Sequence, residues 1–158
     1  MENSNDQSNQ FQVAEIQLSY KSNVKPSLRP KIMASRDCYQ FLLDPWDLSR
    51  LELVEQFKVL LTNRANRVLG IFELSTGGIT GTVADPKLIF VAALKAGATG
   101  IILSHNHPSG NLQPSQADID LTRKIKEGGK WLEIQKPLTH FVRPCISVFM
   151  SRSSPDFH

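Results

Sequence analysis

Several features that would place this 158-residue chain in a specialised class are scarce or missing. Its two cysteines, Cys38 and Cys145, lie far apart without a CxxC pair, which argues against a disulfide framework and a cysteine zinc site and fits a reducing cytoplasm. The longest apolar runs, such as 88–94, fall far short of the roughly 18–20 residues that a membrane span needs. Neither sign of charge dominates, because 18 basic and 15 acidic residues leave a net charge of +3. We therefore expect a cytoplasmic protein without a membrane span, for which nucleic acid is a permitted partner and not a required one.

The composition that remains is typical of one globular domain with polar ends. Hydrophobic residues make up 41% of the chain, and a domain of this length buries roughly two thirds of the surface of its unfolded chain. Residues 1–12 are mostly Asn, Gln and Ser, so we expect a mobile polar tail without a secretory signal. We expect residues 13–142 to form the domain, and residues 143–158 to form a separate C-terminal segment that ends rich in Ser and Pro.

Hydrophobic periodicity and turn residues predict an alternation of strands and helices. Strands are predicted at residues 13–20, at 57–61 and 68–74 as a hairpin, at 98–104, and more weakly at 132–134, 138–142 and 146–150. Helices are predicted at residues 35–43, at 86–96 and from 115 to about 127. This order favours an α/β fold with one mixed sheet flanked by helices.

Two of the predicted helices have clear end signals. Asp85 can cap a helix that begins at Pro86 and ends at Gly97, and the near-continuous apolar character of this helix predicts that it is buried on much of its surface. The next helix is predicted to stop at the pair Gly128 and Gly129, because glycine is a poor helix former.

Two histidines separated by one residue follow the apolar run of the strand at 98–104. Side chains at alternate positions of a strand point to the same face, so His105 and His107 can reach one metal ion. A catalytic zinc ion needs a third protein ligand, with water in its fourth position. Asp118 is the nearest candidate, because the turn at 108–110 can return the chain so that the next helix faces the histidines.

Structural explanations compete with this metal hypothesis. A lone His-x-His is common in loops and strands. Ser115 followed by Asp118 is also the pattern of a capping box, in which the acid returns to the backbone amide of the N-cap residue. An Asp118 oxygen that binds zinc cannot make that return contact, so the two interpretations remain in competition.

The combined pattern resembles the JAMM motif of JAB/MPN-domain metalloenzymes, and in particular their bacterial RadC branch. The resemblance rests on an upstream glutamate, on the run Ser104–Gly110 (SHNHPSG), and on Pro114, Ser115, Asp118 and Thr122 after it. The stretch at 57–68 and residues 77–79 match that branch in place. The fold that the resemblance implies is a single JAB/MPN-like, cytidine-deaminase-like domain of three layers.

The resemblance also implies a site and an activity. His105, His107 and Asp118 match the zinc ligands, Ser115 matches the serine that supports the transition state, and Glu55 matches the glutamate that handles the proton. The implied function is a zinc-dependent metallohydrolase that cleaves an amide or isopeptide bond in a protein or peptide substrate. Two alternatives stay open: a non-catalytic, metal-stabilised binding module, and a protein associated with DNA repair.

Two departures from the RadC pattern bear on these expectations. Residues 1–31 show no resemblance to the helix-hairpin-helix region that precedes the metal domain in typical RadC proteins, which weakens the DNA-binding hypothesis. Thr139 and His140 stand in place of an Asp-His pair, so we expect residues 143–158 to diverge from the family.

Overall fold

The computed structural model describes residues 19–43, 46–78, 83–111, 113–134, 140–142 and 146–149. These residues form three α-helices, two short 3-10 helices (Pro26–Leu28 and Leu48–Arg50) and one five-stranded sheet of order β2-β1-β3-β5-β4. The elements in chain order are α1 (Ser35–Leu43), β1 (Gln56–Thr62), β2 (Val68–Thr76), α2 (Pro86–Lys95), β3 (Gly100–Asn106), α3 (Gln116–Trp131), β4 (His140–Val142) and β5 (Ile146–Phe149). The predicted strand at 13–20 lies almost wholly outside the described residues.

The centre of the sheet is the antiparallel pair β1 and β3, in which Phe57 lies opposite His105. Every strand pair in the described part of the chain is antiparallel, so the predicted mixed sheet has no parallel pair there. The reason is topological. The crossover through α2 gives β2 and β3 the same direction, but β1 lies between them and runs opposite to both.

Side-chain alternation in the central strands gives the sheet two buried faces. One face packs against α2 and α3, and the other packs against α1. The first core contains Phe57, Val59, Leu61, Ile89, Ala93, Ala98, Ile101, Leu103, Ile125 and Ile134. The second contains Ile32, Cys38, Leu42, Trp46, Leu60 and Ile102. Helices on both faces of one sheet confirm the predicted α/β class and the three-layer arrangement.

Helix α2 has the predicted ends but not the predicted burial. The Asp85 carboxylate accepts a hydrogen bond from the Lys87 amide at 2.9 Å, and Gly97 takes a positive φ of 62° after the helix. Only Ile89 and Ala93 of this helix are fully buried, whereas its outward apolar residues are about half exposed (Leu88 47%, Val91 56%, Leu94 55%). A helix that packs on a sheet through one stripe leaves its opposite side uncovered.

Helix α3 continues past the glycine pair that was predicted to end it. A Cβ atom on Gly128 would lie 2.7 Å from the Phe90 ring, and one on Gly129 would lie 2.7 Å from the Ile134 carbonyl oxygen. The two glycines therefore allow the Phe90 ring and the Ile134 carbonyl to pack closely against α3. The predicted strand at 132–134 is wrong, because Glu133 takes a positive φ of 54° and the Ile134 amide returns to the Gly129 carbonyl at 2.9 Å.

None of the helices in the described ranges combines the length and the apolar character that a bilayer-spanning segment requires.

Candidate metal centre

The two histidines lie at the end of β3 on the sheet face that packs against α3. His105 is completely buried, and its ring stacks on the Phe57 ring of β1 with centroids 5.4 Å apart and an interplanar angle of 3°. His107 follows the last strand residue, and its ring centroid is 4.5 Å from that of His105. The strand end therefore holds both imidazoles side by side, as the i, i+2 spacing predicts.

Asp118 approaches the histidines from the first turn of α3. Its Oδ2 atom accepts hydrogen bonds from the Ser115 amide at 2.7 Å and from the Ser115 hydroxyl at 2.7 Å. Its Oδ1 atom lies 3.3 Å from His105 Nε2. The capping and metal interpretations therefore coexist, because the cap occupies one carboxylate oxygen and leaves the other directed at the imidazoles.

The donor set fits a metal ion. His105, His107 and Asp118 each offer one ligand atom, and these atoms all lie within 4.8 Å of one another. The His107 Nε2 atom is buried and has no hydrogen-bond partner among the described residues. Two imidazole nitrogens and one carboxylate oxygen are a ligand set that zinc takes in catalytic sites.

The electrostatics of the site favour the protonation states that bind a cation. Burial by itself raises the pKa of Asp118, but the hydrogen bonds from His105 and Ser115 outweigh it and bring the pKa to about 2. Burial, reinforced by the neighbouring His105, lowers the pKa of His107. At neutral pH the site therefore presents an ionised carboxylate beside a neutral His107 imidazole.

Glu55 lies just before β1 and is half-buried. Burial raises its pKa, and the negative charge of Asp118 adds to that rise while His105 opposes it. Glu55 and Asp118 both line a cavity of about 390 Å³ whose wall is otherwise mainly apolar (Phe57, Val83, Ala84, Pro86, Ala117 and Leu121, with Asp120 and Lys124). The structure thus gathers the three predicted ligands, places Ser115 on one of them, and puts Glu55 at the same cavity.

Asn106, between the two histidines, has a role that sequence reasoning missed. Alternation along the strand directs its side chain away from the two histidines. The side chain is fully buried on the opposite face and makes three hydrogen bonds to the backbone just before and within the start of β1. A buried amide inside a strand is the signal, because such a group requires partners.

Comparison with known protein families identifies the domain. A family model described as the RadC-like JAB domain matches residues 32–142. The chain belongs to the RadC-like JAB domain family. This confirms the resemblance that the His-x-His and Ser-x-x-Asp pattern indicated, whereas the outer bounds of 13–142 for the domain stay a prediction.

Curated relatives of this RadC-like domain are UPF0758 proteins. One from Flavobacterium johnsoniae is 42% identical over 131 residues, which is 82% of this chain and 56% of the relative. One from Desulfitobacterium hafniense is 36% identical over 110 residues (70% and 47%), and one from Thermosynechococcus vestitus is 46% identical over 83 residues (52% and 33%). The chain thus spans between a third and just over half of the length of these relatives.

Proposed function

We propose that this RadC-like JAB domain is a zinc-dependent metallohydrolase that cleaves an amide or isopeptide bond. The observation that carries the proposal is the convergence of His105, His107 and Asp118, because Asp118 also lines the cavity that Glu55 lines. His105, His107 and Asp118 would hold a zinc ion, which would supply a Lewis acid and lower the pKa of a bound water toward about 7.

Glu55 is proposed as the general base and then the general acid. Glu55 lines the cavity and burial raises its pKa, which brings the pKa closer to the operating pH and makes both uptake and release of a proton accessible. In the proposed reaction Glu55 accepts a proton from the attacking water and passes it to the nitrogen of the leaving amine. The C–N bond breaks as that proton arrives, so charge does not accumulate on the departing nitrogen.

Ser115 is proposed to stabilise the oxyanion of the tetrahedral species. In the structure its hydroxyl donates to Asp118 Oδ2, while the Ser115 amide donates to the same oxygen. When the hydroxyl turns to the oxyanion, the hydrogen bond from the Ser115 backbone amide can still hold Asp118. A donor of this kind contributes about 3–4 kcal/mol to a transition state.

The proposed substrate is a protein or peptide segment, and the proposed compartment is the cytoplasm. The apolar side chains of the cavity wall suit the aliphatic parts of a peptide, and the side of the cavity that Asp118 lines would receive its scissile carbonyl. The isolated Cys38 and Cys145 are the basis for a reducing compartment.

The first experiment measures the metal. Protein purified without chelators or a metal-affinity tag should contain close to one equivalent of zinc per chain, and His105→Ala should reduce that content to a trace. A trace amount in the wild type that His105→Ala leaves unchanged would remove the proposal.

The second experiment separates an enzyme from a binding module that keeps zinc only as a structural element. Glu55→Gln should retain zinc and lose about 10²- to 10⁴-fold in turnover of a fluorogenic peptide or isopeptide substrate. Glu52→Gln is the matched control, because Glu52 is an exposed acid three residues earlier and should change neither quantity. The binding module is favoured by the hydrogen bond from the Ser115 hydroxyl to Asp118, because it keeps that hydroxyl engaged with a carboxylate. Full zinc content without measurable turnover in the wild type would support the binding module.

A further inference from the structure

The Asn106 carboxamide connects the end of β3 to the segment that contains Glu55. Its Oδ1 atom accepts a hydrogen bond from the Gln56 amide at 2.7 Å. Its Nδ2 group donates to the carbonyls of Leu51 at 2.7 Å and Val54 at 2.9 Å. All three bonds are short and the side chain is 0% exposed, so water does not compete for them.

These contacts lie on both sides of Glu55 along the chain. Val54 and Gln56 are its direct neighbours, and on the far side of the backbone the Glu55 carbonyl accepts a hydrogen bond from the Gly77 amide at 2.8 Å. The peptide units before and after Glu55 are therefore held from two directions. With its backbone held in this way, the carboxyl of Glu55 can sample only the few positions that its own rotamers allow.

The same three-residue stretch positions the metal ligands. Alternation along β3 directs His105 and His107 to the face that packs against α3, and it directs Asn106 to the opposite face. A displacement of the strand end would therefore move the two imidazoles and the Glu55 backbone together. Through this coupling, the position of the strand end would set the distance between the base and the ligands.

We propose that Asn106 is a positioning residue that fixes the Glu55 carboxyl relative to the metal ligands. The inference rests on the proposed function, because it concerns the residue assigned there as the proton carrier. In this proposal Asn106 neither touches the substrate nor binds the metal, and it acts only by holding the backbone around Glu55.

The test uses Asn106→Ala with a matched control at another carboxamide that also binds backbone amides. Asn63 Oδ1 accepts hydrogen bonds from the backbone amides of Ala65 at 3.0 Å and Arg67 at 2.9 Å in the turn between β1 and β2, at the opposite end of β1 from Glu55. Asn63→Ala therefore reports the general cost of losing such bonds. Asn106→Ser, which keeps a polar group at the position, provides the same test if the alanine variant does not fold.

The first readout is amide hydrogen exchange in the metal-free protein and does not depend on catalysis. In Asn106→Ala the Gln56 amide should exchange at least about 10-fold faster relative to the Val59 amide of the same strand, because it loses its acceptor. Equal acceleration at both positions would mean that the substitution only lowers global stability, and this result would overturn the proposal.

The second readout is a double-mutant cycle in the zinc-loaded protein. Asn106→Ala should keep its zinc and lose about 10- to 10²-fold in kcat with little change in KM, because a misplaced base slows the chemical step. When Asn106→Ala is added to Glu55→Gln, it should cause no further loss of kcat. The control Asn63→Ala should keep the wild-type kcat. Additive losses would overturn the inference while leaving the proposed function intact. A Glu55→Gln variant with wild-type turnover would instead refute the function, and the exchange experiment would still decide whether Asn106 holds the segment around Glu55.

Discussion

Ser115 has two roles in the structure that substitution can separate. Its hydroxyl accepts a hydrogen bond from the Asp118 amide at 3.2 Å, which caps α3, and donates to Asp118 Oδ2 at 2.7 Å, which orients the Asp118 carboxylate. Ser115→Ala removes both interactions. Loss of a serine cap costs about 1 kcal/mol, which lowers the melting temperature of a chain of this length by about 2–4 °C.

The expected change in zinc affinity follows from the hydrogen bond between the Ser115 hydroxyl and Asp118 Oδ2. Loss of a group that orients a ligand weakens metal binding by about 10- to 100-fold, and the remaining amide bond from Ser115 to Oδ2 at 2.7 Å places the expectation near the lower figure. Ser115→Gly separates the two effects, because glycine is tolerated at an N-cap at a cost of only about a few tenths of a kcal/mol. Zinc affinity should therefore fall by the same factor in Ser115→Gly as in Ser115→Ala, but Ser115→Gly should melt close to the wild-type temperature. Ser115→Thr should keep both the zinc affinity and the melting temperature of the wild type.

The assays are thermal unfolding of the metal-free protein and zinc titration against a competing chromophoric chelator. The reasoning fails if Ser115→Gly binds zinc as tightly as the wild type, since the hydroxyl would then have no part in holding Asp118. It also fails if Ser115→Ala melts at the wild-type temperature, since the capping box would then be without energetic weight.

Two further predictions concern stability. Gly129→Ala should destabilise the protein by about 1–2 kcal/mol in urea unfolding, because a Cβ 2.7 Å from the Ile134 carbonyl costs more than the helix propensity of alanine returns. Gly128→Ala, which meets only the movable tip of an aromatic ring, should lie near zero, and equal losses in the two variants would contradict this explanation. Glu73→Gln should cost about 1 kcal/mol at pH 7, because Lys58 is 2% exposed and binds Glu73 Oε2 at 2.8 Å. The hydrogen bond from Lys58 lowers the pKa of Glu73 from 4.5, so this stabilisation is complete above about pH 4.5 and disappears as the pH falls through the lowered value. A cost that persists unchanged to strongly acid pH would refute the assignment.

Local signals in the sequence were sufficient for elements whose ends depend on residues within one turn. The bounds of α1 agree with the prediction at both ends, and Asp85 with Gly97 delimits α2 as expected. The His-x-His spacing placed both imidazoles on one face, and the Ser-x-x-Asp spacing predicted the capping box that the structure contains. Each of these features depends on residues that are close together along the chain, and it can therefore be predicted from a single sequence.

Tertiary structure decided the features whose partners lie far away in the sequence. Glycines that locally favour the end of a helix continue α3, because the Phe90 ring and the Ile134 carbonyl need the space above Gly128 and Gly129. The outward stripe of α2 is exposed because one layer covers only one of its sides.

The site shows the same division. Residue types and spacing determined that the two imidazoles and an acid could share an ion, but only the fold determined which oxygen of Asp118 turns toward His105. Only the fold brought Glu55 to the cavity that Asp118 lines and gave Asn106 partners about 50 residues distant in sequence. The physical reason is that strand pairing and packing bring together groups whose separation along the chain leaves no periodic trace.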